Sequence, residues 1–194
     1  MKTKNPFILW LFGVPGAGKT TYANMVNGYF DHNLEIIDSD DIRSRLTPLP
    51  NWSDSERKIV YNTIWEIALR FQRRGISSVI AASAGGVDLN EYRNIAPQNV
   101  FFVHLMCSLE DAAKRHPNFL FDKALKEKIA IPIVRRDAKG EIFPADIEFS
   151  KKTGISGYEI EIPTRLDLEV DTSNINLQDK NINKILDMIC DRVS

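Results

Sequence analysis

Six consecutive apolar residues, Phe7, Ile8, Leu9, Trp10, Leu11 and Phe12, open the patterned part of the chain. The run is too short for a globular helix and does not alternate, which predicts a strand buried on both faces. LEIID (34–38) is a second buried-strand candidate, and ISSVIAA (76–82), NVFFVHL (99–105) and LDLEVD (166–171) are expected as a third, fourth and fifth strand. Between them apolar residues recur at helical spacing. A first helix is expected over roughly Thr20 to Tyr29, with Tyr22, Met25, Val26 and Tyr29 inward, and a long one over about Asp54 to Arg73, with Ile59, Ile64, Ile67, Ala68 and Phe71 at core positions. Ser53 and Glu56 form a capping-box pattern at the start of the long helix, and Gly75 marks its end. A short helix is expected around Asn90 to Arg93. A last helix, with Ile182, Ile185, Leu186 and Ile189 in register, should pack back on the strands. Five strands alternating with helices predict an α/β fold.

Composition narrows this picture. With 194 residues, 43% of them apolar, the chain can bury a substantial core and is read as a single domain over 1–194. A net charge of -1 gives no long-range attraction to nucleic acid or to an anionic membrane, so neither is expected as a partner. The apolar runs stop short of a spanning length and MKTKNP leads straight into the first strand, so the expected location is cytoplasmic. Cys107 and Cys190 lie far apart, and His32, His104 and His116 are scattered, which supports neither a disulfide framework nor a zinc site.

The first strand runs into Gly13, Val14, Pro15, Gly16, Ala17, Gly18, Lys19 and Thr20, followed by Thr21. This is the G-x-x-x-x-G-K-[ST] spacing of a phosphate-binding loop. Glycines let the backbone wrap so that successive N–H groups point at phosphate oxygens. Lys19 would then reach the β and γ phosphates, the Thr20 hydroxyl would sit on Mg²⁺, and the helix that follows would aim its positive end at the anion.

The second strand ends in Asp38, Ser39, Asp40 and Asp41, at the edge where open α/β sheets bind their ligands. In extended backbone Asp38 and Asp40 share one face. Such carboxylates can order water on Mg²⁺, take a proton from an acceptor hydroxyl, or both. Alternatively Asp40 or Asp41 caps a helix beginning near Ile42, with Asp41 the better cap. Arg43 and Arg45 follow; each could fork onto a phosphate of a second substrate or lie on a solvated helix face. Trp52 is either a staple for the long helix or a platform for a base. Ser83, Ala84, Gly85 and Gly86 form a small-residue turn at the same sheet edge. Lys114, Arg115, Lys123, Lys126 and Lys128 suit a lid over ATP or a solvated helix face, and 131–157 reads as a long functional loop, so a lid and mobile loop are expected over about 108–160.

Taken together, GVPGAGKTT, IDSDDIRSRL, NWSDSERKIV, SLEDAAKR, KKTGISGYE and LDLEVDTSNINLQD resemble the adenylylsulfate (APS) kinase family, in consistent order along almost the whole chain. The resemblance implies a P-loop NTPase fold with a five-stranded parallel sheet flanked by helices in three layers (α/β/α). It also implies Mg²⁺-dependent transfer of the ATP γ-phosphate to the ribose 3'-hydroxyl of a nucleoside 5'-phosphosulfate. Residues 13–21 fall on the phosphate loop, with Lys19, Asp38 and Asp40 catalytic and Thr20 and Asp38 at the metal. Arg43 and Arg57 match arginines on the acceptor nucleotide, Trp52 stands near its base, and Ser83 contacts it. Arg115 matches the lid arginine against ATP, and Lys123 a lid lysine. A homodimer is the family habit, although nothing in the apolar pattern shows one.

This chain departs from the family pattern on the acceptor side. Ala84, Gly85 and Gly86 stand where a proline, an aromatic and an arginine are expected; Val60 and Asn62 replace an asparagine and an arginine; His116 replaces an aspartate; and Lys152 replaces a phenylalanine that sandwiches adenine. An extra stretch separates Lys123 from Thr153. The expected acceptor is therefore APS or an APS-like nucleotide, or alternatively a cytidine or other nucleoside 5'-diphosphate derivative such as a diphosphoramidate. A non-catalytic nucleotide-binding regulator is the rival from another class, disfavoured because binding alone does not require the acidic pair.

Overall fold

Along the first strand, β1 (Ile8–Phe12), successive side chains point to opposite faces of the sheet, and this alternation sorts them between two cores. The computed structural model describes residues 5–47, 54–84, 87–115, 133–135 and 160–193. β1 is the centre of a five-stranded sheet with β2 (Glu35–Asp38), β3 (Ser78–Ala81), β4 (Val100–Met106) and β7 (Leu168–Asp171), in the order β2-β3-β1-β4-β7. Every neighbouring pair is parallel. The five strand-like runs of the sequence thus become the five strands of one sheet.

Phe7, Leu9 and Leu11 face α1 (Lys19–Tyr29) and the C-terminal helix α6 (Gln178–Val193), packing with Tyr22, Ala23, Val26, Ile182, Ile185 and Ile189. Ile8, Trp10 and Phe12 face α3 (Asp54–Arg73) and α4 (Leu89–Ile95). The layers are therefore helix, sheet, helix. Two inward positions expected from periodicity lie outside: Tyr29 is 50% exposed and Ile59 is 58% exposed. On α3 the buried stripe is Val60, Tyr61, Ile64, Trp65 and Ala68, because Tyr61 and Trp65 pack their rings on Trp10 and so turn Ile59 to solvent. Gly75, at φ +79, ends this helix, with the N–H of Ile76 donating to the carbonyl of Phe71.

A second, two-stranded parallel sheet pairs β5 (Ile133–Arg135) with β6 (Ile160–Ile162). Three residues per strand carry no readable periodicity, and the sequence pattern gave no sign of this pair. Ile160 is buried in the α3-side core.

The sheet register places Asp38 beside Ala81, Ala81 beside Leu11, Leu11 beside Val103 and Val103 beside Leu168. This row lies at the C-terminal ends of β2, β3 and β1 but at the middle of β4 and the start of β7, and because every pair is parallel the segments leaving β2, β3, β1 and β4 all emerge on one side. Among the described residues no helix is long and apolar enough to cross a membrane.

Candidate active site

The segment leaving β1 is the glycine-rich loop. A Cβ on Gly13 would lie 2.4 Å from the carbonyl oxygen of Leu105, and one on Gly16, at φ +82, would lie 2.6 Å from that of Ala112. The loop is pressed this closely against β4 and α5 (Leu109–Arg115), and only glycine fits at these two points. Gly18 caps α1 without a side-chain bond, and the first turn of the helix carries no acidic residue. Its N-terminal N–H groups therefore face the loop with their positive end uncompensated.

Lys19 folds back over the loop, its Nζ donating to the carbonyl oxygens of Gly13 (3.1 Å) and Val14 (3.0 Å). Burial lowers its pKa to about 8, against the opposing pull of the Asp40 and Asp38 carboxylates. An ammonium held by neutral carbonyls in a half-buried position is poised for a stronger anionic partner.

From the next residue, Thr20, the hydroxyl donates to Asp38 Oδ2 at 2.8 Å. Asp38 accepts on its other oxygen from the backbone N–H of Asp40 at 2.9 Å and is itself the N-cap of α2 (Ser39–Leu46). Two expectations are corrected here. The helix begins at Ser39 rather than near Ile42, so Asp40 lies in its first turn and shares no strand face with Asp38; and the cap is Asp38, not Asp41. The reason is local: the carboxylate at the strand end is already placed to receive the first free helical N–H. Thr20 and Asp38 together form an all-oxygen pair, the donor chemistry that suits a hard cation which otherwise relies on waters and substrate phosphates.

Arg43 donates to Glu56 at 2.9 Å, and both side chains are largely buried. Arg57 is also buried, at 9% exposure. The pair of arginines singled out in the sequence therefore lies in one cluster with a glutamate noticed there only as a capping partner. Tyr61, read there as no more than part of a helix, places its hydroxyl near these groups: burial pushes it up to about 12, Arg43 and Arg57 pull it down and Asp40 raises it. Its oxygen accepts from the N–H of Ala84 at 2.7 Å. An aromatic at a helical core position gives no hint of this from sequence. Ser83, partly buried, immediately precedes Ala84 past the end of β3.

On the opposite flank Arg115 donates to the carbonyl oxygens of Thr172 (2.7 Å) and Ser173 (2.9 Å), bracing α5 against the end of β7. Thr21 is exposed on the first turn of α1. Trp52, Lys123 and Lys152, like Gly85, Gly86, Ser53 and most of the expected lid, lie outside the described residues. No group of three or more metal-ligating His, Cys, Asp or Glu side chains occurs among the described residues. His104 is buried in β4, its ring stacked on Phe12 and its Nδ1 3.1 Å from Glu169.

The parallel sheet, the loop that closes on Lys19 and the carboxylate beside Thr20 define a class, that of the phosphate-loop kinase fold. Within that class, the adenylylsulphate kinase family model matches residues 5–132, and the chain belongs to this family. It is 32% identical over 126 residues to a probable adenylyl-sulfate kinase of Archaeoglobus fulgidus, covering 63% of this chain and 81% of that one. It is 27% identical over 191 residues to the adenylyl-sulfate kinase of Bacteroides thetaiotaomicron, covering 96% of this chain and 84% of that one. Among solved structures, the Mycobacterium tuberculosis APS kinase in complex with AMPPNP and APS superposes with a TM-score of 0.66 at 18% identity, over 95% of this chain and 98% of that one. Coverage of the own lengths of eight such curated relatives runs from 60% to 84%.

Proposed function

We propose that this protein transfers the γ-phosphoryl group of ATP to a hydroxyl, the ribose 3'-hydroxyl, of a small nucleotide acceptor, with APS the first candidate. The observation that carries the reading is the convergence of Lys19, Thr20, Asp38 and Asp40 where the loops leave the sheet. In this reading residues 13–21 cradle the triphosphate, and Lys19 leaves the Gly13 and Val14 carbonyls for the β and γ oxygens. Thr20 and Asp38 would hold Mg²⁺ and its waters; bound there, the ion offsets charge on the β and γ phosphates. Asp40 accepts the proton of the attacking hydroxyl as its oxygen bonds to the γ phosphorus, and the bond to the β-phosphate oxygen breaks to leave ADP. Arg43 and Arg57 bind the acceptor's own phosphate, Ser83 contacts the acceptor, and Arg115 supports the ATP side.

A second reading, a changed acceptor such as a cytidine 5'-diphosphate derivative, is favoured by one feature. Ala84 adopts φ +60, which proline cannot, at the position where the family resemblance expects proline. Ala84 therefore has a backbone conformation that a proline at this position would not allow.

The test is ADP release with ATP and Mg²⁺ across APS, cytidine 5'-diphosphate derivatives and simple nucleoside 5'-phosphates, with Asp40→Ala as the blank. Saturable turnover with one of these acceptors, lost in Asp40→Ala while ATP binding persists, is the expected result. ATP binding without turnover on any of them would instead make the chain a nucleotide-binding regulator.

A further inference from the structure

Ala84 is fully buried and sits in the left-handed region at φ +60. The other described non-glycine residues with positive φ are Asp31, His32 and Asn99, side-chain types that tolerate this conformation. Alanine has no polar side chain to stabilise itself there, and its Cβ disfavours the region. Something outside the residue must hold it.

The N–H of Ala84 donates to the Tyr61 hydroxyl at 2.7 Å, a buried bond across 23 residues. Tyr61 is 3% exposed and its ring stacks on Trp10 at an interplanar angle of 10°. The hydroxyl is therefore fixed by a helix and by the central strand at once. The carbonyl of Ala84 also accepts from the N–H of Val87 at 3.4 Å. Ser83, the residue before Ala84, takes its direction from this anchored point.

We propose that Tyr61 is a positioning residue for the acceptor: its hydroxyl holds Ala84 in the left-handed conformation and so sets the approach of the Ser83 loop to the acceptor site. The inference rests on the kinase reading above. Arg43 and Arg57, which bind the acceptor's phosphate in that reading, and Asp40 are the charged groups whose fields act on the Tyr61 phenol, so the anchor sits beside the groups assigned to the acceptor. The phenol stays protonated at neutral pH. Having accepted from Ala84, it keeps its own hydrogen to donate. A proline at position 84 could neither make this bond nor adopt this φ, so the anchor and the altered loop residue form one device.

The experiment uses the full chain carrying Tyr61→Phe, which keeps the ring and removes the hydroxyl. Amide hydrogen exchange at Ala84 should accelerate about tenfold, with the amides of Leu11 and Ile80 unchanged. With APS as the probe acceptor, or whichever tested nucleotide the wild type turns over, the acceptor KM should rise about tenfold while the ATP KM stays within about twofold. Adding Ala84→Gly to Tyr61→Phe should recover part of the acceptor KM, because glycine occupies the left-handed region without a Cβ. Wild-type turnover with no change in Ala84 exchange or acceptor KM in Tyr61→Phe overturns the inference and leaves the kinase reading intact. Equal acceleration of all amides, or equal rises in both KM values, overturns it in favour of general destabilisation. No wild-type turnover on any nucleotide overturns the kinase reading itself, and the positioning role with it.

Discussion

Thr20 and Asp38, 18 residues apart in the chain, meet at 2.8 Å, with the hydroxyl donating to one carboxylate oxygen while the other caps α2. One side chain thus joins the first turn of α1 to the first turn of α2 at the sheet edge. Its structural and chemical duties can be separated by choice of substitution.

Asparagine caps a helix as well as aspartate does, so Asp38→Asn should leave stability within about 0.5 kcal/mol of the parent. Loss of the carboxylate charge should lower phosphoryl transfer by about 100-fold or more. Asp38→Ala should add a stability loss of about 1 kcal/mol from the missing cap. Urea melts and ADP release on the same preparations separate the two effects.

For Lys19 the pH dependence has a definite sign. Its folded pKa, lowered to about 8 by burial, lies below the ordinary lysine value of 10.5, so between these pH values the unfolded chain binds more protons. This group therefore makes the free protein more stable as pH rises from 8 to 10.5. ATP binding runs the other way, because it needs the ammonium. Affinity for AMPPNP should fall above pH 8 by up to about tenfold per pH unit. Lys19→Arg, which does not titrate in this range, should bind more weakly at pH 7 and lose that pH dependence, as read by calorimetric titration.

At Gly16 a methyl group would lie 2.6 Å from the carbonyl oxygen of Ala112, on a backbone at φ +82. Gly16→Ala must shift the loop away from α5. Nucleotide binding by equilibrium dialysis should drop by about tenfold or more, together with a loss of about 1–3 kcal/mol in stability.

Just before the start of β7, Asp167 accepts from Nη1 and Nη2 of Arg93, from Arg192 and from the N–H of Phe102, with its side chain 3% exposed. Removing this buried carboxylate leaves the largely buried Arg93 guanidinium without its counter-charge and the Phe102 N–H without its acceptor, while the half-exposed Arg192 returns to water. Asp167→Ala should cost about 3–5 kcal/mol by chemical denaturation, while AMPPNP affinity per folded molecule stays unchanged.

The local pattern alone determined the strands and the loop. Five strand-like runs gave five strands, of which β1, β3 and β4 are buried along their length while β2 and β7, expected from LEIID and LDLEVD, lie at the sheet edges and are only partly buried. The glycine spacing at 13–18 with Lys19 and Thr20 requires only neighbours in the chain. Tertiary packing decided what depends on contacts between distant segments. Which face of α3 turns inward followed from the Trp10 aromatic cluster and not from α3's own periodicity, which had placed Ile59 inside. That Asp38 is the cap, and that Asp40 leaves the strand face for the first turn of α2, depends on the Thr20 hydroxyl and the helix start meeting at one carboxylate. Tyr61 and Ala84 are ordinary residues in the sequence; the bond between them exists only because α3 lies against the end of β3, and a hydrogen bond across 23 residues leaves no mark on either segment's pattern.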